Sequence, residues 1–314
     1  MFSLILRRLL VAIPTLFLVS VIVFSMQKIM PGDPALMFAG EERDPAVLEV
    51  LRARYHLDEP MWIQYGYWIG GVLQGDLGHS LRTEVPVTTL IAQKLPVTLQ
   101  LSAAAMLIAV LIGVPAGIYA AIRKGRTSDY VVNVAGLLGM SIPNFWLGII
   151  LILVVAVNLR WLPSGGFVSI TEDPVQFVKL MIMPAFVLST PIAAYLMRHT
   201  RSAMIEAMRS DYIRTARAKG LRRPAVVLRH AFRNALMPIV TMITLLFGEL
   251  MAGAVLTEQI FTIPGFGKLM VDGVFTRDYA VVQGMVLCTA LAFILLNLLA
   301  DVLYILINPK LRQG

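Results

Sequence analysis

Charge is scarce in this chain. Asp, Glu, Lys and Arg make up 15% of its 314 residues, against 58% hydrophobic residues. That is too little polar surface to clothe a water-soluble globule, and it leaves a polytopic membrane protein as the class. Cysteine is nearly absent: Cys288 stands alone inside an apolar run, which excludes a disulfide framework and a thiolate metal site. The four histidines, His56, His79, His199 and His230, fall in polar segments without zinc-type spacing, so no metal site and no catalytic residues are assigned. A Gly-x-x-x-x-Gly-Lys-Ser/Thr phosphate loop is also missing. The nearest fragment, Gly265-Phe266-Gly267-Lys268, continues with Leu269. No RRM, zinc-finger or helix-turn-helix pattern accompanies the basic residues, so nucleic acid is not an expected partner.

What is present is a succession of apolar runs. Arg7 and Arg8 precede a run from Leu9 to about Met26, long enough to cross a bilayer at roughly 18 residues. No small-x-small cleavage site follows, so it reads as an uncleaved signal anchor with its amino terminus inside. Pro31-Gly32-Asp33-Pro34 stops that helix. The fold expected is all-α, one transmembrane domain over 1–314, with six spans at 9–30, 97–122, 130–159, 180–200, 236–258 and 281–307. An extended external segment fills 31–96, a cytoplasmic loop 201–235, and an interfacial or re-entrant hairpin 259–280. Within the external segment, Pro45 to Tyr55 is a short amphipathic helix, and Trp62, Tyr65, Tyr67 and Trp68 suit the headgroup level or a neighbouring helix. A stacking platform for a ligand is the alternative there. Gly75-Asp76-Leu77-Gly78 is a turn. In the third span, Ser141-Ile142-Pro143-Asn144 predicts a kink.

The positive-inside rule tests this topology. With both termini inside, 17 Lys/Arg fall on the inner side and 10 outside, the latter spread over far more polar length. The expected location is the bacterial cytoplasmic membrane, multi-pass.

Basic charge concentrates in one island. From Arg198 to Arg233 ten Lys/Arg face two acids, Glu206 and Asp211, an excess equal to the net charge of +8. Met204, Met208, Tyr212 and Ala216 recur every four residues, with Ile205 and Ile213 nearby, and predict an apolar stripe on one helix. Gly220 is a natural stop and Pro224 suits the first turn of a second helix. Spacing alone leaves open a basic hairpin lying on anionic lipid. The small residues of Thr215-Ala216-Arg217-Ala218-Lys219-Gly220 argue instead for a helix end that enters a groove on a protein partner.

Two stretches of the island, Asp211 to Gly220 (DYIRTARAKG) and Arg229 to Pro238 (RHAFRNALMP), carry a resemblance. They are similar to the cytoplasmic coupling segment of ABC-importer permeases, specifically the B-type subunits of the dipeptide/oligopeptide/nickel group. The resemblance continues in order through Pro31 to Pro34, Gly75 to Gly78, Ser141 to Phe145, Ile260 to Gly267, Arg277-Asp278-Tyr279 and Asn308 to Arg312. One departure narrows it: where the broader importer pattern has Glu-Ala-Ala, this chain has Arg214-Thr215-Ala216, so a salt bridge from that glutamate to an ATPase is not expected.

The resemblance implies a transmembrane permease subunit of an ATP-driven, binding-protein-dependent importer for dipeptides or oligopeptides, with glutathione or a nickel chelate as alternative cargo. It implies a second, related permease subunit, two cytoplasmic ATPase subunits that hold ATP and Mg, and an extracytoplasmic substrate-binding protein. This chain itself is not an enzyme and carries no cofactor. Asp211, Arg214, Thr215, Ala216, Arg217, Ala218, Lys219 and Gly220 would couple it to the ATPases.

Polar residues inside spans are candidates for the translocation path, because burying them in lipid is costly. Glu249, between Gly248 and Gly253, is the foremost. It would meet a peptide amino group or a cation, or else stand as a structural glutamate. Ser141 and Asn144 either line the path or satisfy the kink. Asn297 and Asp301, four apart on the sixth helix, read as packing or interface pairing. An ATP-independent secondary carrier is the alternative class, but no internal repeat of broken helices supports it.

Overall fold

A computed structural model of the chain describes residues 2–29, 44–54 and 58–307. The described residues are helical apart from turns and one isolated bridge between His79 and Pro86. The Pro31 to Pro34 stop, His56 and the basic tail from Asn308 lie outside them. In chain order the helices are α1 (Phe2–Ile29), α2 (Pro45–Arg54), α3 (Met61–Leu73), α4 (Val87–Ile122), α5 (Thr127–Ser141), α6 (Asn144–Leu151), α7 (Pro174–Arg209), α8 (Asp211–Ala218), α9 (Arg223–Ile260), α10 (Phe266–Phe275) and α11 (Tyr279–Ile307).

By length and composition four of these, α4, α7, α9 and α11, suffice to cross a membrane. A fifth span results if α5 and the stretch Asn144–Asn158 count as one. The apolar part of α1 is shorter, Leu10–Ser25. In place of a kink in the third span there is a sharp break: α5 and α6 meet at 94°. Pro143 is the cause, since it cannot donate and forces the residue before it out of the helical region; Ile142 sits at φ −77°, ψ 121°. The stretch Ile152–Asn158 after α6 is wound as a π-helix.

The chain divides into two compact units. One comprises, among the described residues, 96–268 and 295–307. Its centre is α7, which packs against α5 and α9 and buries 72% of its apolar window. Asp173 caps α7 by accepting from the amides of Val175 and Gln176 at 2.9 and 3.0 Å, and Pro174 follows at the first helical position. Leu101, Met181, Leu188, Leu196, Leu250 and Phe261 fill the core between α4, α7 and α9. Backbones meet closely on the α4 side: a Cβ on Gly113 or Gly117 would lie 2.5 Å from the carbonyl oxygens of Ala193 and Met197, the small-residue packing usual where helices associate without a hydrophobic drive.

The other unit comprises Phe2–Leu95 and Leu269–Ile294. Here the aromatic residues of α3 dock on α1. Tyr65 and Trp68 each lie 5.5 Å from Phe24, centroid to centroid, and the Tyr65 hydroxyl is 2.7 Å from the Ser20 hydroxyl. Of the two expectations for these residues, the neighbouring helix holds for Tyr65 and Trp68, while Trp62 is 75% exposed. The turn at Gly75 to Gly78 has both glycines at positive φ and closes with the Gly78 amide on Asp76 Oδ1 at 2.8 Å. Two short motifs then meet: Ser80 donates to Asp278 Oδ2 at 2.6 Å, and Tyr279 is buried beside it.

Candidate functional site

The basic island folds differently from a single striped helix. α7 runs on to Arg209, Ser210 turns extended at φ −70°, ψ 150°, and α8 begins afresh at Asp211. The break shifts the helical phase. Met204, Ile213 and Ala216 are buried together, whereas Tyr212, expected on the same stripe, is 40% exposed and Met208 is half-buried. The second helix of the island and the following span are also one continuous helix, α9, with a π-wound turn at Val226–Ala231.

α8 buries two of its side chains against its own chain. Ile213 and Ala216, three apart and so on one face, pack among Met204, Val226, Val227, Ala231 and Ala235. Asp211, Tyr212, Arg214, Thr215, Arg217, Ala218, Lys219 and Gly220 are all exposed. Arg214 reaches Asp211 at 3.6 Å, an exposed pair that adds little stability. The helix ends in a Schellman motif. The Gly220 amide donates to the Arg217 carbonyl at 2.9 Å, the Leu221 amide to the Ala216 carbonyl at 3.4 Å, and Gly220 takes φ 74°. Ala216 therefore faces inward and holds α8 in place; Ala218 is the small residue offered outward.

A polar clamp that the sequence reading missed secures the base of this element. Arg201 grips Asp129 with two hydrogen bonds, Nε to Oδ1 at 2.7 Å and Nη2 to Oδ2 at 2.8 Å. The same carboxylate accepts from the Gly125 amide at 2.9 Å and from Asn133 Nδ2 at 2.8 Å. Asp129 is buried and the Arg201 side chain is 24% exposed, so this fork ties the end of α7 to the start of α5 far more firmly than a surface pair would. The signal was there: Asp129 is the one acid between α4 and Tyr130.

The second missed residue is Glu258. It is fully buried and accepts from the Thr98 hydroxyl, from the Gly267 amide and from the Lys268 amide, the last at 2.8 Å. Thr98 Oγ1 in turn accepts from the Phe266 amide at 2.8 Å. The Ile260 to Gly267 turn thus wraps a carboxyl group at the start of α10, where a helix N-terminus favours it. A Cβ on Gly265 would overlap that carboxyl, and one on Gly267 would come 2.7 Å from Val255 Cα. Glycine and proline in this stretch marked a turn; the acid six residues ahead of Pro264 marked what the turn encloses.

The expected path residues are not brought into contact. Glu249 lies exposed on α9, without a hydrogen bond or ion pair among the described residues. Ser141 ends α5 and donates to its own helix, Oγ to Leu137 O at 2.8 Å. Asn144 is half-buried in the first turn of α6.

Residues 113–313 match the family of the binding-protein-dependent transport system inner membrane component. The chain belongs to that family. The amino-terminal domain model of the same membrane components matches residues 1–102. Over 312 residues and 99% of both chains, this permease is 43% identical to the glutathione transport system permease protein GsiC of Escherichia coli K12. It is 40% identical over 311 residues, 98% of both chains, to the oligopeptide transport system permease protein AppB of Bacillus subtilis. A putative peptide transport system permease protein of Brucella abortus is 40% identical over 312 residues, 99% of both chains. Among solved structures, the MetNI methionine ABC transporter in an inward-facing conformation matches with a TM-score of 0.58 at 18% identity, covering 70% of this chain and 96% of that one. That likeness is one of fold. The permease is thus a multi-pass inner-membrane subunit of an ABC-type importer, and α4 to α9 carry most of the matched family model.

Proposed function

We propose that this permease subunit imports oligopeptides, and that ATPase subunits in the cytoplasm drive it by gripping α8. The observation that carries the coupling reading is the one-sided burial of α8: Ile213 and Ala216 fix it to its own chain while its other residues, two of them arginines, are exposed. A helix of eight residues, about 12 Å long, exposed on its outer face and ended by a rigid cap, suits a groove between the lobes of a partner. Seated there, it would pass the partner's movement into α7 through Met204 and into α9 through Val226 and Val227, and the Arg201–Asp129 fork would carry it on from α7 to α5, as rigid-body tilting of the spans.

In this reading both termini and the island are cytoplasmic, α1 supplies the sixth span, and the segment 31–96 and the 259–280 turn face outward to a substrate-binding protein. A second, related permease subunit completes the path. Glu249 faces that path: a carboxylate exposed on a span would be costly against lipid, whereas a water-filled path offers it solvent and the amino group of a peptide. Ser141 and Asn144, beside the break between α5 and α6, are the further path candidates.

The relative from Bacillus subtilis supports oligopeptide cargo, and that from Escherichia coli supports glutathione, a tripeptide, as the second reading. Purification of the whole importer, followed by uptake into vesicles of labelled oligopeptide and of glutathione, separates the two. Oligopeptide uptake abolished by an ATPase-dead partner is expected. Uptake that persists without ATP hydrolysis would overturn the importer reading, and uptake of glutathione alone would replace the cargo.

A further inference from the structure

At the island end of the first unit, beside α8, lies a cavity of about 390 Å³ framed by three arginines. Arg123 and Arg126 come from the turn after α4, and Arg223 opens α9. Its remaining wall is Ile118, Ile122, Pro224, Val227 and Leu228. No acidic side chain lines it. The nearest acid along the chain, Asp129, is engaged by Arg201, Gly125 and Asn133.

Two of the arginines are held in place. The Arg123 guanidinium lies over the Tyr119 ring, 5.3 Å from its centroid, and Arg223 Nη2 donates to the Ile122 carbonyl at 3.4 Å. Arg126 makes no side-chain hydrogen bond among the described residues and is exposed. The start of α9 adds the positive end of a long helix to the same space. The cavity therefore offers three cations and a helix N-terminus at its polar end, and isoleucine, valine and leucine from two spans at its apolar end.

We propose that this cavity binds an anionic phospholipid. Its phosphate is held by Arg123, Arg126 and Arg223, and one acyl chain lies along Ile118, Ile122, Val227 and Leu228. Arginine suits phosphate because its planar fork donates two hydrogen bonds at once, and basic pockets between spans at a membrane face are matched to anionic headgroups. The apolar wall selects for a lipid over a free anion: inorganic phosphate would leave Leu228, 59% exposed, uncovered. Such a lipid would fill the gap between α4 and α9 beside the element on which coupling depends. The inference rests on the chain spanning a membrane, and not on the identity of its cargo.

The test uses the assembled importer, stripped of lipid in neutral detergent and placed in nanodiscs of phosphatidylcholine with or without phosphatidylglycerol. Native mass spectrometry counts the lipid retained. Phosphatidylglycerol is expected to be held in preference to phosphatidylcholine, the preference falling about fivefold for each arginine replaced by glutamine. Inorganic phosphate should not displace it. R126Q, which breaks no internal hydrogen bond, keeps the test valid if R223Q loosens the fold. Equal retention by the triple variant would overturn the proposal. So would displacement by inorganic phosphate alone, which would make the site one for a free anion. Loss of the ATPase subunits from R126Q in pure phosphatidylcholine would instead assign the cavity to an acidic side chain of that partner.

Discussion

At Gly220 the backbone angle, and not the surrounding space, excludes a side chain. A Cβ there would meet nothing within 4 Å, but φ is 74°, a region that costs an ordinary residue about 1–2 kcal/mol. Gly220→Val should therefore fray the end of α8 and lower ATP-driven uptake, while Gly220→Asn, which tolerates that region, should retain most of it. Equal uptake by both variants would mean that the cap is dispensable. Glu258 poses the opposite case, a residue fixed by its partners. Glu258→Ala removes the acceptor for one hydroxyl and two amides in a buried place, and a buried donor left unsatisfied costs about 1–3 kcal/mol. A clearly lowered melting temperature of the purified importer, partly restored in Glu258→Gln, is the expected result. Gly265→Ala should behave like Glu258→Ala, because its methyl group would take the carboxyl's space.

Among elements, α8 separates two alanines that the sequence treats alike. Ala216→Trp has to force its ring into the cluster around Met204 and Val226 and should destabilise the subunit by about 1–3 kcal/mol. Ala218→Trp projects outward; it should leave the melting temperature of the isolated subunit unchanged and weaken ATPase binding. The reverse pattern, measured by thermal unfolding and co-purification, would show that α8 is docked the other way round. The Arg201–Asp129 fork gives a second element-scale expectation. Removing either partner leaves the other poorly compensated at a buried site, so Asp129→Asn and Arg201→Gln should each lower stability by a few kcal/mol, with the double variant less affected than the sum.

These elements also show how far the sequence is readable. Apolar length marks α4, α7, α9 and α11 plainly, because hydrocarbon tolerates little else over that distance. Gly220 and Pro224 mark the ends of α8 and the start of α9 by their backbone chemistry. The break at Ser210 was not legible: serine stops a helix only when the surroundings favour it, and the i, i+4 pattern across it looks unbroken. Asp129 with Arg201, Ser80 with Asp278, and Thr98 with Glu258 join residues 72, 198 and 160 positions apart. Pairs so distant leave no local pattern. Ala216 and Ala218 differ only in which way the helix turns, and that depends on the same break at Ser210.

At the scale of the whole molecule, spans tilted from the α8 end would act on the path at their middle. Glu249 is the place where the far consequence should appear. Glu249→Gln removes the charge with almost no change in volume, and should raise the KM for peptides with a free amino terminus more than for amino-terminally acetylated ones. Identical kinetics across such a panel would return Glu249 to a structural role. The claim on which the rest depends is that α8 seats in the ATPase. Its most direct test is site-specific crosslinking in the assembled importer, in a background where the single natural cysteine, Cys288, is replaced. Thr215→Cys and Ala218→Cys should crosslink to cysteines in the groove of the ATPase subunit, and the link should block uptake, while Ile213→Cys, buried against its own chain, should not react. Crosslinking at Ile213 but not at Thr215 or Ala218, or full uptake with the link in place, would contradict the account.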